Sequence, residues 1–268
     1  MKYLFTVFAA FLSAILLYSF WWEPSGLRVH DYELALDQPA LKGLTIAVIA
    51  DLHAGAPYID EAKIDAVVAR TNAAQPDLIL LAGDYVSDRD DGSLRMPLET
   101  IAAHLKGLEA PLGVYAVLGN HDMNVGGRDV AAALSQAGIL VLDNSHVVID
   151  RAAGPLVLAG LGEDPDTARA LGGLEQQQGI CLVHRPDVFP HVPAACALTI
   201  AGHTHGGQVA LPPFQGMALA GATRTGIRYP AGIRQEIGRT LFVSSGIGTT
   251  TLPVRLGVPP EISLLKIR

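Results

Sequence analysis

The feature that most constrains this chain is a set of five short apolar runs, each closed by a residue able to bind metal or move protons. They are LTIAVIA (residues 44–50), LILLAG (78–83), VYAVLG (114–119), ICLV (180–183) and LTIAG (198–202). Their aliphatic and β-branched content suits strands covered on both faces. Residues 61–74, 98–110 and 127–138 carry apolar side chains at three- and four-residue spacings, as amphipathic helices do. That alternation says α/β. Later runs, HVVID, LVLAGL, LFVSS and EISLLKI, have no long helix between some neighbours, so antiparallel pairs and mixed sheets are expected.

Immediately after the five runs stand Asp51 with His53, Asp84, Asn120 with His121, His184, and His203 with His205. Binding sites of α/β sheets form at the carboxyl ends of strands, where residues scattered over the chain converge. Imidazole, carboxylate and amide ligands suit Zn, Mn or Fe, and the absence of cysteine from all five places excludes a thiolate site. In an extended segment residues i and i+2 share a face, so Asp51/His53 and His203/His205 would each present two ligands in one direction. Seven candidates, Asp51, His53, Asp84, Asn120, His184, His203 and His205, are too many for one four-coordinate ion and suit two divalent ions sharing a carboxylate. Two such ions, less two carboxylates and a hydroxide, leave about one positive charge to attract a phosphate. His30, His104, His146 and His191 have no such context and read as ordinary hydrogen-bonded histidines.

The 268 residues carry a formal net charge of -7 with no Lys/Arg cluster, which argues against a nucleic-acid partner. Cys181 and Cys196 are too few for a disulfide framework and read as buried free thiols, a disulfide requiring that their runs be neighbouring strands. Residues 4–22 hold no charge and, at ~1.5 Å per residue, nearly span a ~30 Å hydrocarbon core, with Tyr18, Trp21 and Trp22 at the interface. LYSFWW lacks the small residues expected before a signal-peptide cut. The expectation is one uncleaved transmembrane helix over residues 1–24 and a domain over 25–268, which Lys2 and the positive-inside rule place on the outer side of a bacterial cell membrane. LRVHDYELAL alternates as a half-buried strand entering that domain.

The ordered set DLH (51–53), GD (83–84), GNHD (119–122), VH (183–184) and GHTH (202–205) resembles the calcineurin-like metallophosphoesterases. The tail GHTHGGQ with GIGTTTLPVRLGVPPEI is similar to the membrane-associated bacterial phosphodiesterases of the YkuE and YaeI type. The resemblance implies a four-layer α/β/β/α sandwich with a dimetal site at the strand ends. It implies that Asp51, His53, Asp84 and His205 bind one ion and Asp84, Asn120, His184 and His203 the other, Asp84 bridging. A hydroxide generated there would attack phosphorus, with His121 as acid for the leaving alkoxide. Where the protein-phosphatase branch reads GDYVDRG, this chain has GDYVSDRDD, so the partner orienting His121 stays open between Ser87, Asp88 and Asp122. Arg185, after His184, reads as a solvated arginine, the alternative being a contact with a phosphate oxygen.

The implied activity is metal-dependent hydrolysis of a phosphodiester or diphosphate, with a lipid or nucleotide-lipid head group as candidate substrate. A phosphomonoesterase and a non-catalytic anchored metal-binding scaffold are the alternatives. Residues 211–238, rich in Gly and Pro and holding Arg224, Arg228 and Arg234, are a candidate rim for a lipid phosphate, or else a solvated connection. The glycines of GHTHGG fit a backbone brought close to metal and phosphate.

Overall fold

Alternation inside the apolar runs divides them between two cores. The computed structural model describes residues 2–89, 92–174, 179–210, 217–218, 228–236 and 238–268. Its strands are β1 Arg28–Leu34, β2 Thr45–Ile49, β3 Leu78–Leu81, β4 Val114–Ala116, β5 Leu140–Val141, β6 Ser145–Ile149 and β7 Leu156–Gly160. They continue with β8 Gly179–Leu182, β9 Cys196–Ala201, β10 Gln208–Val209, β11 Met217–Ala218, β12 Gly232–Glu236, β13 Arg239–Val243 and β14 Glu261–Ile267. On β2, Ile46 and Val48 point to one side with Leu78 and Leu80 of β3, and meet Leu182, Ile200 and Phe242 from a second sheet. Ala47 and Ile49 point to the other side, against Ile64, Val67, Leu105 and Leu134 on helices. Both faces are buried, which is why the runs read as continuous rather than alternating.

Two six-stranded mixed sheets result, ordered β1-β14-β2-β3-β4-β5 and β12-β13-β9-β8-β7-β6. β2, β3 and β4 are mutually parallel, as are β7, β8, β9 and β13. Antiparallel pairing enters through β14 with β2, β12 with β13, and β6 with β7. Helices Glu61–Ala73, Leu98–Leu105 and Gly127–Gln136 cover the first sheet. The first of these is capped by Asp60, whose side chain accepts from the Lys63 amide at 2.8 Å. Among the described residues, the outer face of the second sheet is covered by helix Thr167–Leu171 and the turn Pro186–His191, through Leu171 and Phe189. This is the expected α/β/β/α sandwich.

β1 is a parallel edge partner of β14, and its later half alternates as expected: Tyr32, Leu34 and the following Leu36 pack on the inter-sheet core while Asp31 and Glu33 are exposed. One expectation needs correction. Cys181 and Cys196 are not free thiols but a disulfide, because β8 and β9 are hydrogen-bonded neighbours with the two Cα atoms 5.3 Å apart.

Before the domain runs a helix over Lys2–Ser25, long and apolar enough to cross a membrane. Its first sixteen residues, Lys2–Leu17, bury none of their side chains. Its end behaves differently. Ser19, Glu23 and Pro24 are buried, Tyr58 Oη donates to Phe20 O at 2.6 Å, and Lys63 and Arg70 donate to the backbone carbonyls of residues 25–27.

Phe242 tests the inter-sheet core, since it is fully buried and meets the Tyr32 ring edge-on at 4.8 Å. Phe242→Ala should cost about 3–5 kcal/mol in denaturant unfolding. A loss below about 1 kcal/mol would show that the sandwich does not rest on this contact.

Candidate metal centre

The carboxyl ends of β2, β3 and β4 in one sheet and of β8 and β9 in the other deliver the predicted residues to one place. They do so through backbone that L-residues avoid. Asp51, His53, Asp84, His203 and His205 have φ of 53°, 48°, 57°, 72° and 50°, in the left-handed region that costs about 1–2 kcal/mol per residue. The i and i+2 ligands therefore meet through left-handed turns, not along an extended pleat. Hydrogen bonds hold these turns: Asp51 N to Gly83 O and His53 N to Asp84 O, both 3.0 Å, and His203 N to Asp51 Oδ1 at 2.8 Å.

Asp51, His53 and His205 form one cluster, with His53 Nε2 3.2 Å from His205 Nε2 and His205 Nε2 3.9 Å from Asp51 Oδ1. Asp84, His184 and His203 form another: His184 Nε2 lies 3.2 Å from Asp84 Oδ2 and 3.1 Å from His203 Nδ1. Asn120 Oδ1 joins it, 3.1 Å from His184 Nε2. Asp84 Oδ2 is also 3.7 Å from His53 Nε2, so one oxygen stands between the two clusters.

The donor set fits cations. His205 Nδ1 donates to Gly248 O at 3.2 Å and His184 Nδ1 to Ala82 O at 2.8 Å, which in the neutral rings turns both Nε2 lone pairs inward. Ring nitrogens and acceptor oxygens then face one another at hydrogen-bond distance, an arrangement that a proton or a cation between them relieves. Nitrogen and oxygen donors without sulfur suit Mn, Fe or Zn.

Burial sets the electrostatics. It pushes Asp51 up to about 7 and His53 and His203 down to about 4 and 3, and holds His205 well below its ordinary value. The pair Asp84/His184 goes the other way. Burial opposes both charged forms, yet their attraction wins, raising His184 to about 10 and holding Asp84 well below the usual carboxylate range.

His121 approaches from the short helix Asn120–Asn124, its ring edge-on to His53 at 4.8 Å and its amide donating to Asp84 Oδ1 at 2.9 Å. Of the three candidate partners, Asp88 meets its ring, with Oδ1 3.0 Å from Nδ1. Asp122 is occupied elsewhere, accepting from the amides of Asp84, Tyr85 and Gly119 at 2.8, 2.9 and 2.9 Å. Gly119 has no room for a side chain, since a Cβ would lie 2.2 Å from Asp84 Oδ1. A cavity of about 290 Å³ opens beside His53 and His121, walled by Asp88, Arg95 and the stretch Thr249 to Pro253. A larger one of about 510 Å³, between helices Leu98–Leu105 and Gly127–Gln136, holds none of the predicted residues.

Other residues fall where the sequence did not put them. Arg185 is not simply solvated: its Nε donates to Glu163 Oε2 at 2.9 Å and its Nη1 lies 3.4 Å from His203 Nε2. Gly206 does not face metal, because a Cβ there would lie 2.6 Å from Val258 Cγ1. Among the rim arginines, Arg228 pairs with Glu236 at 3.0 Å, Arg234 is exposed, and Arg224 lies outside the described residues. His30, His104 and His146 are ordinary, bonded to Glu261, Asp65 and the Ala170 carbonyl. Sequence reasoning missed Arg255, fully buried with its guanidinium on the carbonyls of Ser245, Gly246, Gly248 and Val258. A lone arginine in LPVRLG carries no periodic signal.

Residues 44–207 match the calcineurin-like phosphoesterase family. The chain belongs to that family. This calcineurin-like phosphoesterase is 28% identical over 267 residues to phosphodiesterase YaeI of Escherichia coli, covering 93% of this chain and 92% of the relative. It is 29% identical over 247 residues to the uncharacterized metallophosphoesterase YkuE of Bacillus subtilis, covering 89% and 84%. The solved structure of sulfate thiohydrolase SoxB from Thermus thermophilus has the same fold, with a TM-score of 0.50 at 11% identity, over 84% of this chain and 57% of that one.

Asp122→Ala leaves four buried amides, those of Asp84, Tyr85, Val86 and Gly119, without this acceptor, each worth about 1–3 kcal/mol. Chemical denaturation should show a loss of about 3 kcal/mol or more. A neutral substitution would mean that other groups hold the turn carrying Asp84.

Proposed function

We propose that this phosphoesterase is a membrane-anchored hydrolase of phosphodiesters or diphosphates that works with two divalent ions, Mn, Fe or Zn. The observation that carries the reading is Asp84 Oδ2 standing between His53 and His184 with the remaining ligands around it. Asp51, His53, Asp84 and His205 hold one ion in this reading, and Asp84, Asn120, His184 and His203 the other. When bound, two such ions supply Lewis-acid stabilisation of charge on phosphoryl oxygens and lower the pKa of water. The chain's own residues do the rest. His121 donates a proton to the leaving alkoxide from the mouth of the cavity, and Asp88, on its Nδ1, orients the ring. Arg185, held by Glu163, adds a fixed positive charge at the His203 edge of the site.

Residues 1–24 act as the anchor and 25–268 as the catalytic domain. The cavity wall supports a substrate presented at the bilayer, a lipid or nucleotide-lipid head group: the wall residue Pro253 is two positions from Arg255, whose amide donates to Ser19 O of the helix at 2.9 Å. The Cys181–Cys196 disulfide supports a domain on the outer side, since such bonds persist in oxidising compartments.

Full-length protein loaded with Mn²⁺ should hydrolyse an activated aryl phosphodiester, and His121→Ala should lower kcat by about 100-fold or more. Asn120→Ala should also stop turnover, and His203→Ala should deplete one ion before the other in elemental analysis. Absence of hydrolysis with every divalent metal tried would defeat the enzymatic reading. Lipid-linked diphosphates in vesicles are expected to turn over as well; good turnover of soluble diesters alone would sink the membrane substrate.

A further inference from the structure

The membrane helix and the metal centre are joined by one stretch of chain, residues 248–257. At its start, Gly248 N donates to Asp51 O at 2.7 Å and Gly248 O accepts from His205 Nδ1 at 3.2 Å. That carbonyl therefore fixes which nitrogen of His205 is left to bind an ion. At the other end, the Arg255 amide donates to Ser19 O and the Gly257 amide to Glu23 Oε2, both at 2.9 Å. Between them the Gln208 side chain accepts from Thr250 N at 2.8 Å and donates to Leu252 O and Val254 O, both at 3.0 Å, so the stretch is not slack.

Arg255 ties the two ends together. Its Nη2 donates to Gly248 O at 2.6 Å and to Ser245 O at 3.0 Å, and its Nη1 to Val258 O at 2.9 Å. Its hydrogen-bond acceptors are neutral carbonyls, and the buried fork is rigid, so moving its backbone moves the Gly248 carbonyl. Partners that orient a metal-binding histidine commonly change metal affinity by about 10- to 100-fold when removed.

We propose that Arg255 is a positioning residue that couples the docked end of the membrane helix to the His205 side of the metal centre, so that undocking the helix end loosens the ion held there. The proposal rests on the dimetal reading above. The helix is then part of the site's support as well as its anchor.

The test uses the full-length protein in detergent, with Mn²⁺ binding followed by isothermal titration and by elemental analysis after dialysis. Glu23→Ala combined with Tyr58→Phe removes two side-chain contacts to the helix end, and Arg255→Lys removes the fork while keeping the charge. Both should keep the wild-type circular dichroism spectrum yet bind one of two Mn²⁺ ions about 10- to 100-fold more weakly, with activity restored by excess Mn²⁺. Added to His205→Ala, the undocking pair should cause no further loss of affinity, whereas added to His203→Ala it should. Wild-type affinity for both ions in the undocked variant, or full additivity with His205→Ala, overturns the proposal. If Arg255→Lys fails to fold, the undocked variant decides alone. A wild-type chain that binds no divalent ion would instead defeat the dimetal reading.

Discussion

Everything around the metal centre is arranged to place one oxygen, Asp84 Oδ2, within 3.2 Å of His184 and 3.7 Å of His53. Those histidines belong to different sheets, so the contact sets how the two halves of the sandwich meet at their carboxyl ends. Asp84 is held from behind by Asp122, which takes its amide, and from the side by Gly119, whose missing Cβ leaves space for the carboxylate. The hydrophobic layer between the sheets supplies the affinity for this meeting, and the ligands supply its register. Burial disfavours nearly every charged form in the centre, so the protein has gathered groups that a cation stabilises far better than water-free neighbours can.

The strand ends were legible because β2, β3, β4, β8 and β9 are parallel and buried on both faces, so each appears as an apolar run stopped by a polar residue. The candidate ligand set followed from those stops. What was hidden depended on turns and on contacts between distant segments. Nothing in the sequence says that Asp51, His53, Asp84, His203 and His205 leave their strands through left-handed backbone. That Asp88 and not Ser87 reaches His121 depends on the path of a loop, since the sequence differs from the expected spacing by one residue. The disulfide could be seen only once β8 and β9 were neighbours. Arg255 was invisible because its hydrogen-bond partners are backbone carbonyls, which no side-chain motif records.

The N-terminal helix has two unlike parts, which the proposed anchor role explains. Through Leu17 it buries nothing against the domain, as suits a segment whose surroundings are lipid, and from Ser19 onward it is a packed element with a buried glutamate. A change of environment within a few residues leaves little freedom for the domain to swivel on its tether. In the membrane-anchored reading proposed above, substrate orientation is then governed by the protein rather than by a flexible linker.

The left-handed turns carry a consequence for how this protein can change. At His53 and His203 the backbone is one that glycine adopts without strain, whereas an imidazole-bearing residue holds it at a cost of about 1–2 kcal/mol. A chain relieved of its chemistry would gain conformational ease at those very positions. In the proposed reading, stability and activity are thus set against each other along the turns that carry the candidate ligands.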